Sequence, residues 1–228
     1  MQRLEYGMDD AIALIIGADS ALGRAVCREL GRHGFYVVLT ARDGRRAVET
    51  AVRLRADGIG TTGLELDLVD PSAIHDVTEH LRKRFGYLDV LITNETPYLG
   101  HTMLSEAMAH IDGTRTLLQR ALPLLRRSPT PRIVNVSAEG GAAPLDHTHQ
   151  VLTVSIAMQN PGTALLVNTV ETGRPESHPD HEDDVHAPTA AQAARDVAWA
   201  ALLPPGGPTG SLILRRHPSA DAATAKHH

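Results

Sequence analysis

Short apolar runs alternate with stretches of helical periodicity along the whole chain, and that alternation restricts the fold more than any other feature of the sequence. Ala11–Ile16 is a continuous apolar run, the pattern of a strand buried on both faces. Residues 21–33 follow with Leu22, Val26 and Leu30 on one helical face. Residues 35–40, 62–66, 88–93, 132–136, 165–170 and 211–214 read as further strands. Helical patterns lie between them at 45–57, at 104–127, at 190–203 and from Pro71 through Ile74, Val77, Leu81 and Phe85. A shorter helix, 151–159, is stopped by Pro161 and Gly162. The pattern predicts an α/β fold: a doubly wound parallel sheet of about seven strands, helices on both faces, and a shortened helix after strand five. One domain is expected over residues 11–217, with 1–10 and 218–228 as flexible tails.

Composition narrows the function classes. The 228 residues are 42% hydrophobic, enough for a large core, and the net charge of −5 lacks the basic excess of a nucleic-acid binder. No apolar run approaches the roughly 20 residues that span a bilayer, so no membrane partner is expected. Cys27 is the one cysteine, which excludes an internal disulfide and fits a reducing, cytoplasmic setting. It lies among apolar neighbours on the first helix, as a core residue would. The polar first ten residues do not read as a signal peptide.

The turn after the first strand reads Gly17-Ala18-Asp19-Ser20-Ala21-Leu22-Gly23. Glycine permits a sharp turn there, and the backbone N–H groups opening the next helix, from Ser20 through Leu22 to Gly23, can hold a phosphate. Arg42 ends the second strand, where a guanidinium can grip a ribose 2′-phosphate in bidentate fashion. Asp19 and Asp43 oppose this, since each carboxylate repels phosphate, and Ala21 adds a methyl where the backbone should approach a pyrophosphate.

These segments together resemble the short-chain dehydrogenases/reductases, in particular their carbonyl-reductase-like branch. Gly17 and Gly23 match the outer glycines of the family's Gly-x-x-x-Gly-x-Gly, with Ala21 at the middle one. Residues 38–43, Val-Leu-Thr-Ala-Arg-Asp, are similar to the end of strand two in NADP-preferring members. Asp67 matches the aspartate beside the adenine, Asn94 stands within the family's Asn-Asn-Ala-Gly segment, and residues 132–137, Arg-Ile-Val-Asn-Val-Ser, resemble its fifth strand. The resemblance implies a Rossmann-type fold, an NADP(H) cofactor held by Gly17, Ser20, Leu22, Gly23, Arg42, Asp67 and Asn94, and a small-molecule substrate.

The family's catalysis rests on a Tyr-x-x-x-Lys pair, a serine and an asparagine. The tyrosines here are Tyr6, Tyr36, Tyr87 and Tyr98, the lysines Lys83 and Lys226, and Glu79 and Ala222 stand four residues before those lysines. No Tyr-x-x-x-Lys exists in this chain. The tyrosine position falls at Val151, the lysine position at Ser155, the serine position at Ala138 and the asparagine position at His110. Replacement chemistry is available: Ser137 if the turn slips by one residue, His110, and His147 and His149 in a segment (144–150) expected as a loop at the mouth of the sheet. Glu139 and Tyr98 are lesser candidates. Residues 174–188, rich in His, Asp, Glu and Pro, match no metal geometry and read as a loop covering the substrate; no metal is expected.

Three readings follow. The first is a non-redox enzyme that cyclises, dehydrates or isomerises a small carbonyl-bearing or polyketide-like metabolite. The second is a non-catalytic protein binding nucleotide or a partner. The third is an NADP-dependent reductase with an unconventional proton donor. The shortened helix after strand five implies a monomer or an oligomer unlike the family's usual dimer.

Overall fold

The computed structural model describes residues 11–94, 104–137, 146–172 and 189–214, apart from the side chains of 104–107 and 146–149. Seven strands, β1 (Ala11–Ile16), β2 (Phe35–Ala41), β3 (Thr61–Glu65), β4 (Val90–Thr93), β5 (Arg132–Ser137), β6 (Leu166–Glu171) and β7 (Ser211–Ile213), alternate with six helices. The helices are α1 (Ala21–Arg32), α2 (Gly44–Ala56), α3 (Pro71–Arg84), α4 (Leu104–Leu125), α5 (Asp146–Gln159) and α6 (Ala190–Ala201). The strands form one sheet in the order β3-β2-β1-β4-β5-β6-β7, every neighbouring pair parallel. The doubly wound architecture expected from the sequence is the one observed.

Side-chain alternation on the strands divides the core into two layers. Ala13 and Ile15 of β1, Val90 and Ile92 of β4, and Val134 and Val136 of β5 face α1, α2 and α6. Ile12, Leu14 and Ile16, Leu91, and Ile133 face α3, α4 and α5. Strands buried on both sides explain the unbroken apolar runs. Gly113 lets α4 cross close over the segment after β3: a Cβ there would lie 1.8 Å from the Leu68 carbonyl oxygen.

Helix α5 departs from its expected bounds. It begins at Asp146, five residues earlier than the apolar pattern placed it, so residues 146–150 are helical rather than loop. Polar residues of ordinary helix propensity follow Pro144 without a breaker until Pro161, and the helix extends back through them. Thr153 and Ile156 lie on its inner side, with Asn160 buried just past its end, whereas Val151, Val154 and Met158 are exposed. No described helix is long and apolar enough to cross a membrane.

The amino edge of the sheet is closed by satisfied polar groups. The buried Arg132 guanidinium donates to the carbonyls of Leu203 (2.6 and 3.0 Å), Pro131 (2.8 Å) and Ala164 (3.2 Å). The Asp89 carboxylate accepts from the Ile12 amide (2.7 Å) and the Ser128 hydroxyl (2.6 Å). A cavity of about 210 Å³ opens there between Ala11, Phe35, Val90, Arg132 and Leu203. The two charged side chains of its described lining are both committed, Arg132 to backbone carbonyls and Asp89 to the Ile12 amide and the Ser128 hydroxyl.

Candidate functional site

Strand order reverses between β1 and β4, and the carboxyl edge of a parallel sheet at such a switch is where ligands bind. The β1–α1 turn lies there. Gly17 takes a φ of 69°, which glycine adopts at little cost. The Ser20 hydroxyl caps α1, accepting from the Gly23 amide at 2.9 Å and donating to the Gly17 carbonyl at 3.0 Å. A Cβ on Gly23 would sit 2.3 Å from the Gly17 oxygen and 2.7 Å from the Ala18 Cα. Those are backbone atoms, so only glycine allows the helix to start so close to the strand it follows. The Ser20 side chain is thus committed to the cap, and what the turn offers a phosphate is backbone N–H at the positive end of α1.

Of the other expected cofactor residues, Asn94 bonds to this turn and Leu22 follows it, while Arg42 and Asp67 come just after the carboxyl ends of β2 and β3. Asn94, immediately after β4, reaches across with its Nδ2 to the Gly17 carbonyl (3.2 Å) and the Ser20 hydroxyl (2.9 Å). Leu22 is buried beneath the turn, in the layer of α1 and α2. Asp67 follows β3, half-buried, its carboxylate accepting from the Val69 amide at 3.0 Å. Arg42 is exposed at the end of β2.

Both carboxylates that would repel a phosphate are engaged. Asp43 caps α2, accepting from the Arg45 amide at 2.8 Å. Asp19 pairs with Arg46 on the first turn of α2, at 3.3 Å. The residues present therefore fit a dinucleotide phosphate. Beneath the turn, Cys27 is fully buried and its thiol is pushed up to about 12, chiefly by desolvation, so it stays protonated and unreactive.

The floor beside this turn is a buried polar ladder. The Thr93 hydroxyl donates to Asn135 Oδ1 at 2.8 Å, and Asn135 Nδ2 donates to the Thr153 hydroxyl at 2.7 Å. The Thr153 and Thr169 hydroxyls meet at 2.7 Å. One residue from each of β4, β5, α5 and β6 is thereby joined, and α5 is locked against the sheet.

Ser137 lies two residues beyond Asn135 on the same face of β5 and is nearly buried. His110 is half-buried on α4, one turn before the buried Thr114, whose hydroxyl donates to the His110 carbonyl at 3.0 Å. His147 and His149 open α5 instead of lying on a loop, and their side chains are outside the described residues. Glu139 and Tyr98 also lie outside, as do residues 174–188. Among the described residues no cluster of His, Cys, Asp and Glu could hold a metal.

Sequence reasoning missed Glu171. It ends β6 directly beside Ser137 in the parallel register and on the same face, half-exposed after five buried residues. A carboxylate following an apolar strand was the available signal.

A dinucleotide-type turn at the switch point of a seven-stranded parallel sheet defines the class. The comparisons specify it further: the short chain dehydrogenase family pattern matches residues 11–150, and the chain belongs to that family. Carbonyl reductase (NADPH) 1 of Sus scrofa is 35% identical over 144 residues, covering 59% of this chain and 49% of the relative. The (+)-neomenthol dehydrogenase of Arabidopsis thaliana is 30% identical over 159 residues, 57% of this chain and 54% of its own length. The chain spans about half the length of the curated relatives it matches. Among solved structures, a short chain dehydrogenase from Shigella flexneri complexed with NADP superposes with a TM-score of 0.80 at 19% identity, covering 91% of this chain and 98% of the other. At that identity the likeness speaks for the fold alone.

Proposed function

We propose that this protein binds NADP(H) at the carboxyl edge of β1, β2 and β4, and that the adjoining cleft transfers protons on a small carbonyl-bearing or polyketide-like substrate without redox chemistry. Cyclisation, dehydration and isomerisation are reactions of this kind. The dinucleotide half rests on the phosphate turn, on Arg42 and on NADPH-linked relatives. In the family such a cofactor supplies hydride transfer, which needs a proton partner across the substrate carbonyl.

The single observation that carries the non-redox half is the chain's want of any Tyr-x-x-x-Lys beside a well-built phosphate turn. Val151, at the tyrosine's place, is 64% exposed on the outer side of α5. The Thr153 bonds fix that helix, so a small slip of register does not bring another group into the tyrosine's role. Proton chemistry falls instead to the rim, where the Ser137 hydroxyl can donate to a substrate oxygen and Glu171 beside it can take or return a proton. His110, with His147 and His149 at the start of α5, completes the set of candidate acids and bases.

The test is calorimetric titration with NADP+ and NAD+, followed by NADPH oxidation with a panel of ketones and aldehydes. NADP+ should bind more tightly than NAD+, and turnover should stay far below about 1 per second. Turnover at or above that rate would replace this reading with a reductase using an unconventional donor. Equal affinities would remove Arg42 from the site.

A further inference from the structure

We infer that Asp19 is a specificity-determining carboxylate that competes with the 2′-phosphate of the dinucleotide by holding Arg46; this rests on the reading of the turn as a dinucleotide site. Asp19 sits inside the phosphate turn, where a fixed negative charge has no role in binding an anion. Its Oδ2 lies 3.3 Å from Arg46 Nη1, across the gap between the β1–α1 turn and the first turn of α2. The carboxylate is 28% exposed and the guanidinium 68%, so the pair stands at the rim and can open without unpacking the core. Arg24 also donates to the Asp19 backbone carbonyl, which fixes the residue in place.

The surrounding charges give the pair its meaning. Arg42 leaves β2 at the same edge and has no ion-pair or hydrogen-bond partner among the described residues. Asp43 lies outside the phosphate turn and caps α2, whereas Asp19 lies inside that turn, so Asp19 is the carboxylate set to meet an incoming phosphate. A 2′-phosphate carries more charge than a carboxylate and accepts a bidentate guanidinium, so it can draw Arg46 away. To do so it must break the ion pair and then tolerate the freed Asp19. A dinucleotide without the 2′-phosphate meets neither cost. Asp19 thus narrows a preference for NADP(H) that Arg42 and Arg46 together would make much wider.

The experiment is calorimetric titration of the full chain with NADP+, NAD+ and 2′,5′-ADP, in wild type, D19N, R46A and the D19N/R46A pair, with thermal melts as a fold control. D19N should tighten NADP+ and 2′,5′-ADP roughly tenfold and leave NAD+ unchanged, the scale of one charge-assisted hydrogen bond. R46A should weaken the two 2′-phosphate ligands, because the guanidinium that the phosphate would recruit is gone. In the double variant the D19N gain should largely vanish, since the gain is delivered by Arg46. Wild type that binds only weakly while D19N binds well also supports the inference. If wild type prefers NADP+ and D19N leaves the NADP+/NAD+ ratio unchanged, the inference fails and the dinucleotide site stands. If neither wild type nor D19N binds any of the three ligands, both fall together.

Discussion

Replacing Thr153 by valine keeps the shape of the side chain and removes its oxygen, so it isolates what the buried polar ladder contributes. Thr153 is 1% exposed on the inner stripe of α5, and its hydroxyl makes two bonds of 2.7 Å, from Asn135 Nδ2 and with the Thr169 hydroxyl. Valine fills the same volume, so no cavity term enters. It leaves the Asn135 amide N–H facing a methyl in a site that water does not reach, at a cost of about 1–3 kcal/mol, and it forfeits the bond to Thr169, about 1 kcal/mol more. The sum, about 2–4 kcal/mol, is a large part of the ~5–15 kcal/mol by which a domain is stable. In urea, with an m-value near 1–3 kcal/mol/M, the midpoint should fall by roughly 1 M or more. Val154→Thr, on the exposed side of the same helix, is the control and should change stability by less than about 0.5 kcal/mol. A T153V midpoint within about 0.3 M of wild type would show that α5 is held by its apolar contacts alone, and the argument that its register is locked would go with it.

Two further outcomes are expected. Gly23→Ala should weaken dinucleotide binding by more than about tenfold and lower stability by about 1–3 kcal/mol, because the new methyl meets the Gly17 oxygen and Ala18 Cα at 2.3 and 2.7 Å; calorimetry and melting read both, and unchanged binding would detach the turn from the site. His80, whose Nε2 is buried without a hydrogen-bond partner, has its pKa lowered by desolvation and then by Arg84. At His80 the unfolded chain therefore binds more protons than the folded one below about pH 6.5, so this residue's contribution to stability is level above that pH and becomes unfavourable as the pH drops through its folded-state pKa. His80→Gln should flatten that slope in urea titrations across the acid range, and a slope unchanged by the substitution would assign it to other groups.

The sheet was legible because parallel strands buried on both faces carry their own marker, an apolar run without alternation, as in Ala11–Ile16. The phosphate turn was legible for a related reason: its requirements are backbone requirements, met by Gly17, Ser20 and Gly23 within seven residues. Three features were not. The start of α5 lies in Asp-His-Thr-His-Gln, which has no apolar face to display a period. Glu171 acquires its place from Ser137, a neighbour 34 positions away that only the parallel register brings alongside. Asp19 showed the sign of its charge in the sequence, but not that Arg46 reaches across to it. Local chemistry reads from sequence when its partners are local, and these partners are not.

The same distinction bears on where proton transfer can occur in this cleft. Its floor, Thr93, Asn135, Thr153 and Thr169, is made of hydroxyl and amide groups joined to one another. Such groups orient and donate, but none takes up a proton near neutral pH, and burial makes charging them costlier still. A fully buried ladder of this kind fixes a helix; it cannot serve as an acid or base. The nearest carboxylate in the register is Glu171, at the end of β6, and an imidazole, His110, is carried by α4. Under the proposed function a proton would therefore have to come from groups outside this ladder, and Ser137, beside Asn135 along β5 and beside Glu171 in the strand register, is where the two sets adjoin.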